Sequence, residues 1–209
     1  MSKLVTFGCS CTFGQALDDC IITDWSADIK PSKFAWPELL SNLMKLECDN
    51  RAQPGYSNLQ ILDTILSTNI DPNDTVIVMW SYFGRDMILD DNGTKHRIHS
   101  TDETEIVKYW ASTHTITDLM YRSWVYMHHA LIYLQSLGVK FYFVQVLKDL
   151  KFLNMKPEWA RSISFLNVDV GKYSAISPKA ADNAHPGKQA HELIAHSIYL
   201  KIKHQMNTM

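Results

Sequence analysis

The chain has 209 residues, 46% hydrophobic and 20% charged, which excludes a disordered polar chain and suits one core of ordinary domain size. A formal net charge of −2, with basic residues interleaved among apolar ones in "LKDLK" and "YLKIKH", offers no basic field for nucleic acid. Four cysteines are too few for a disulfide framework at this length, and no apolar run is long enough to span a membrane. A single domain over residues 1–209, working in the cytoplasm without nucleic-acid or membrane partners, is therefore expected.

In chain order, "KLVTF" (3–7) is a short β-branched run that predicts a buried strand, followed at once by the turn "GCSCTFG". "WPELLSNLMKL" predicts a helix with proline in its first turn, and "LECDNRA" (46–52) a weaker strand. "SNLQILDTILSTN" starts on capping residues and predicts a second helix, and "TVIVMW" (75–80) a second buried strand. From about 103 to 137 apolar residues recur at helical spacing, predicting one long helix that stops at "SLG" before the strand "VKFYFVQV" (139–146). "PGKQAHELIAHSIYLKIKHQ" predicts the closing helix. Strands alternating with helices imply an α/β fold, a parallel sheet with helices on both faces. Three stretches, 18–32, 83–102 and 148–181, read as irregular. They follow strands or the first turn, where loops of an open α/β sheet build a ligand site.

Two short stretches carry chemistry. Ser10 sits at a strand-to-helix turn, where backbone N–H groups favour developing negative charge; alone, such a serine is usually a helix N-cap. "DNAHPG" places Asp182 three residues before His185, close enough in a turn for a carboxylate to fix the imidazole tautomer; alone, it reads first as a capped surface turn with an incidental histidine. Cys9 and Cys11 flank Ser10 and, as its immediate neighbours, are expected to face away as packing residues. The cysteine spacing (Cys9, Cys11, Cys20, Cys48) lacks the paired knuckles of a zinc site. In "HELIAH", His191 and His196 are five apart and diverge on a helix by roughly 140°. No metal is expected. Trp25 and Trp159 lie in irregular segments, where they either pin the loops or offer an aromatic face to a sugar or acyl group.

Taken together and in this order, the blocks resemble the SGNH (GDSL-like) hydrolase superfamily. Gly8, Cys9 and Ser10 match its Gly-Asp-Ser-like turn after the first strand, with Cys9 in place of aspartate, and Thr12 and Gly14 follow. Gly55 in "NRAQPGYSN" matches the glycine after the second strand, and Asp182, His185 and Pro186 match the closing Asp-x-x-His-Pro block. The resemblance implies a three-layer αβα, flavodoxin-like fold of about five parallel strands and a catalytic triad. In it Ser10 is the nucleophile, His185 the base, and Asp182 the residue that orients the base. It also implies that the Ser10 and Gly55 N–H groups serve an oxyanion hole. The family's third block, Gly-x-Asn-Asp, falls on "MWSYFGRDM" and lacks the asparagine donor. Ser81, Asn58 or Arg85 can complete the hole, and Arg85 can instead bind a substrate carboxylate or phosphate.

The function expected is a cofactor-free serine esterase acting on a small acyl ester, with an O-acetylated carbohydrate as one candidate. Two rivals stay open: a binding or structural module that keeps the fold without turnover, and an acyltransferase passing the same acyl group to a sugar hydroxyl.

Overall fold

A computed structural model describes residues 2–22, 29–99, 104–147 and 150–207. Strands β1 (Lys3–Phe7), β2 (Glu47–Asn50), β3 (Thr75–Trp80) and β6 (Lys140–Gln145) form a wholly parallel sheet in the order β2-β1-β3-β6. Register is continuous across it, with Val5 beside both Asp49 and Val76, and Val78 beside both Phe7 and Phe143. The strand period of two divides β3 between two layers. Val76, Val78 and Trp80 pack against Ile61 and Ile65 of helix α3 (Asn58–Ser67) and Trp124 and Met127 of helix α5 (Ile116–Ser136). Ile77 and Met79 face Trp36 and Leu40 of helix α2 (Trp36–Met44) and Ile194 and Ile198 of helix α8 (Lys188–Asn207). All five β3 side chains named here are at most 1% exposed. Fully burying one such side chain stabilises the fold by about 1.5–3 kcal/mol. The result is the expected three-layer αβα arrangement.

The helix starts follow local rules. α2 carries Pro37 in its first turn, and α3 is closed by a capping box in which Ser57 Oγ accepts from the Gln60 N–H while the Ser57 N–H donates to Gln60 Oε1. A one-turn helix, α1 (Ser10–Phe13), follows β1 directly.

Several elements differ from expectation. The sheet has four strands among the described residues, not about five. Where a fifth would pair with β6 there is only a single-residue parallel bridge, Phe143 to Phe165. The stretch 83–102, read as irregular, holds an antiparallel hairpin of β4 (Arg85–Leu89) and β5 (Lys95–His99), turned by Asp90, whose carboxylate accepts from the Asn92 and Thr94 N–H groups. The long helix is two: α4 (Glu105–Thr113) and α5, parted at His114 because Thr115 caps the second through the Asp118 N–H. The stretch 148–181 contains α6 (Leu150–Asn154), a 3-10 turn at Glu158–Ala160 and α7 (Val170–Ile176). Among the described residues no helix is long and apolar enough to cross a membrane.

Candidate active site

β1 runs into Gly8 and Cys9, and the Cys9 carbonyl accepts the Thr12 and Phe13 N–H groups, so Ser10 becomes the first residue of α1. The turn is braced from β2: the Asn50 carboxamide donates to the Thr12 carbonyl at 3.0 Å, and Gln53 N–H donates to the Gly8 carbonyl at 3.3 Å. Ser10 is 2% exposed and lines a cavity of about 420 Å³.

His185 lines the same cavity from the far end of the chain. Its Nδ1 lies 2.5 Å from Asp182 Oδ2, while Asp182 Oδ1 accepts from the His185 and Ala184 N–H groups at 3.0 Å each. Burial pushes the Asp182 carboxyl upward, but these hydrogen bonds outweigh it and hold the pKa down to about 2. The carboxylate therefore stays ionised beside Nδ1, which assigns the ring proton to Nδ1 and leaves Nε2 as the basic nitrogen. The turn is anchored on both sides. Ala181 N–H donates to the Ala16 carbonyl just beyond α1, and Ala180 N–H donates to the His185 carbonyl. Gly187, next after Pro186, packs so closely that a Cβ there would sit 2.3 Å from the Pro178 carbonyl oxygen. Thus Ser10 and His185 line one cavity, with Asp182 behind the imidazole and no direct hydrogen bond between Ser10 and His185 among the described residues.

The expected oxyanion donors are placed differently from one another. Asn58 is 2% exposed and its carboxamide is fully used: Oδ1 accepts the Ser81 N–H at 2.7 Å, and Nδ2 donates to the Ser81 carbonyl and to Ser123 Oγ. It behaves as a strut between the start of α3 and the end of β3, with no donor left over. Ser81 Oγ accepts from Arg85 Nη1 at 3.2 Å. Of the expected donors, Gly55, Asn58 and Ser81 do not line the cavity, whereas Ser10 and Arg85 do, with Tyr82 beside them. Gly55 has φ +77°, a conformation that favours glycine. Its loop is clamped by Arg97 of β5, whose Nη1 donates to the Pro54 carbonyl at 2.9 Å and whose guanidinium lies over the Tyr56 ring.

Cys11 does not face away from Ser10 as expected. It lines the cavity with Ser10, because a helix met end-on presents consecutive first-turn residues to one space. Its thiol contacts Cys9, which is sealed at 0% exposure. The Cys11 hydrogen bond, with Arg85 and Ser81, draws the Cys9 thiol down, while the same contact and burial push Cys11 well up.

Sequence reasoning missed Arg97, Tyr82 and Lys179. All three were findable, since each lies in a segment that follows a strand of the main sheet. His191 is buried and accepts the Trp36 N–H on Nδ1 at 3.1 Å, whereas His196 is exposed. Trp159 packs on Tyr121 and His128 and does not line the cavity; Trp25 lies outside the described residues. Two other cavities, of about 360 and 290 Å³, run along β6, and neither is lined by a histidine or a carboxylate.

No family model matches the sequence, and no curated protein matches it by sequence. Solved structures do match the fold. TesA superposes with a TM-score of 0.61 at 10% identity, over 97% of this chain and 98% of that one. An acetyl xylan esterase, Est2A from Butyrivibrio proteoclasticus, gives 0.58 at 11% identity over 100% of this chain but only 65% of its own. A protein described as lipolytic and of the G-D-S-L family, from Desulfitobacterium hafniense, gives 0.51 at 14% identity over 96% and 99%. The chain has the fold of the SGNH (GDSL-like) hydrolases.

Proposed function

We propose that the protein is a serine hydrolase that cleaves a small acyl ester. One observation carries this reading: Asp182 Oδ2 lies 2.5 Å from His185 Nδ1, and His185 lines the same cavity as Ser10. In the proposed cycle Ser10 Oγ attacks the ester carbonyl and His185 Nε2 accepts its proton. The carbonyl oxygen, now an oxyanion, is met by the Ser10 N–H at the start of α1. Collapse expels the alcohol, which takes the proton back from His185 and leaves an acyl-Ser10 ester. Water, deprotonated by His185, then attacks that ester; the acid departs and Ser10 regains its proton. Asp182 balances the imidazolium at each stage. The similarity in fold to an acetyl xylan esterase makes an O-acetylated carbohydrate a suitable substrate candidate, and no cofactor enters the cycle.

The test is hydrolysis of 4-nitrophenyl acetate together with labelling by a fluorophosphonate probe. Ser10→Ala should fold, lose the label and lose turnover, and Asp182→Asn should cut kcat by about 10³- to 10⁴-fold by favouring the wrong tautomer. Label on Cys11 in place of Ser10, or near-normal rates in Asp182→Asn, would overturn the assignment.

A further inference from the structure

The cavity beside Ser10 has a charge pattern that the hydrolytic cycle does not use. Its wall includes Arg85 and Lys179 and no aspartate or glutamate. The carboxylates nearby in sequence are engaged elsewhere: Asp182 with His185, and Asp169 as the cap of α7, accepting the Lys172 N–H at 2.9 Å. Among the described residues neither cation pairs with a carboxylate, and the anionic influence on Arg85 inside the site is that of the buried Cys9 thiol. Lys179 Nζ donates only to Ser174 Oγ, at 2.9 Å. Arg85 is half-buried, lies over the Tyr82 ring at 5.1 Å and gives one Nη1 hydrogen bond to Ser81, and its Nε is buried without a partner.

That arrangement is costly unless something else completes it. A guanidinium offers five N–H donors in a planar fork suited to two oxygens of a carboxylate or phosphate, and a buried donor left unpaired is unfavourable. The ring of Tyr82 and the bond to Ser81 fix the orientation of the fork, so less freedom is lost when an anion docks. Lys179, exposed and held by Ser174 on the same lining, adds a second positive charge.

We infer that the cavity selects esters carrying a negatively charged oxyacid group, held by Arg85 and Lys179 while the ester carbonyl lies at Ser10. This rests on the hydrolase reading above for the placement of the carbonyl, but not for the binding of the anion.

The experiment compares kcat/KM for three 4-nitrophenyl esters of similar length: hemisuccinate, 3-phosphonopropionate and butyrate. Wild type should prefer at least one anionic ester over butyrate by about 10- to 100-fold, the usual gain from hydrogen bonds to a charged group. Arg85→Gln should bring that ratio close to one and Lys179→Gln should lower it less. Added salt should also shrink it. The better of the two anionic esters identifies the head group as carboxylate or phosphate-like. Turnover of butyrate with no anionic preference would overturn the inference and leave the hydrolase reading standing. Absence of any turnover and of fluorophosphonate label would remove the hydrolase reading. The anion site is then decided by calorimetric titration with succinate and 3-phosphonopropionate. Binding that Arg85→Gln weakens tenfold or more supports it, and absent or unchanged binding overturns it.

Discussion

Asn58 shows how one side chain can look catalytic in a sequence and prove structural. A buried carboxamide can serve a transient oxyanion only if its donors are free, and here both of its N–H donors and its oxygen already have partners in Ser81 and Ser123. Asn58→Ala strands the buried Ser81 N–H, so we expect a loss of about 2–3 kcal/mol in urea unfolding. That variant should retain measurable ester turnover at native temperature. Arg85, also expected at the site, does line the cavity. Its residue type was informative, but its anchoring by Tyr82 and Ser81 depends on the path taken after β3. The pairing of Asp182 with His185 was legible because it is local, three residues in one turn. The contact of Cys11 with the cavity was not, since sequence adjacency says nothing about which way a one-turn helix is viewed.

Among elements, α8 illustrates how packing sets chemistry. His191 projects from it to accept the Trp36 N–H at the start of α2, tying the two helices that cover one face of the sheet. Burial, aided by the nearby His185 and opposed by the Pro186 carbonyl, lowers its pKa from the ordinary 6.5 to about 4. The unfolded chain therefore takes up a proton between those values while the folded one does not, so stability is full above pH 6.5 and falls as pH drops toward 4. The loss should approach about 3 kcal/mol. His191→Gln should flatten this part of the unfolding free energy against pH; an unchanged slope would assign the acid sensitivity to other groups. The apolar runs of β1, β3 and β6, the proline in the first turn of α2 and the capped start of α3 were readable because their determinants lie within each segment. The hairpin of β4 and β5 was missed although "DNG" marks its turn, because its strands pack away from the main sheet and lack a continuous apolar run.

Across the whole molecule, the alternation of strands and helices was sufficient to anticipate three layers, since a parallel sheet must be covered on both faces. The strand number was not, because the bridge at Phe165 is one residue long and leaves no pattern to read.

The turn that joins Asp182 to His185 also bears on the order in which a working site comes together. A loop of three residues closes within nanoseconds to microseconds, whereas Ser10 reaches that pair only after some 170 residues have folded between them, with the entropy and search that long-range closure entails. Refolding from denaturant should thus restore helical circular dichroism before ester hydrolysis, and activity should return with the packing of α8 on α2. Recovery of both signals with one rate constant would mean that Ser10 and His185 come to the shared cavity in the same step that forms the sheet.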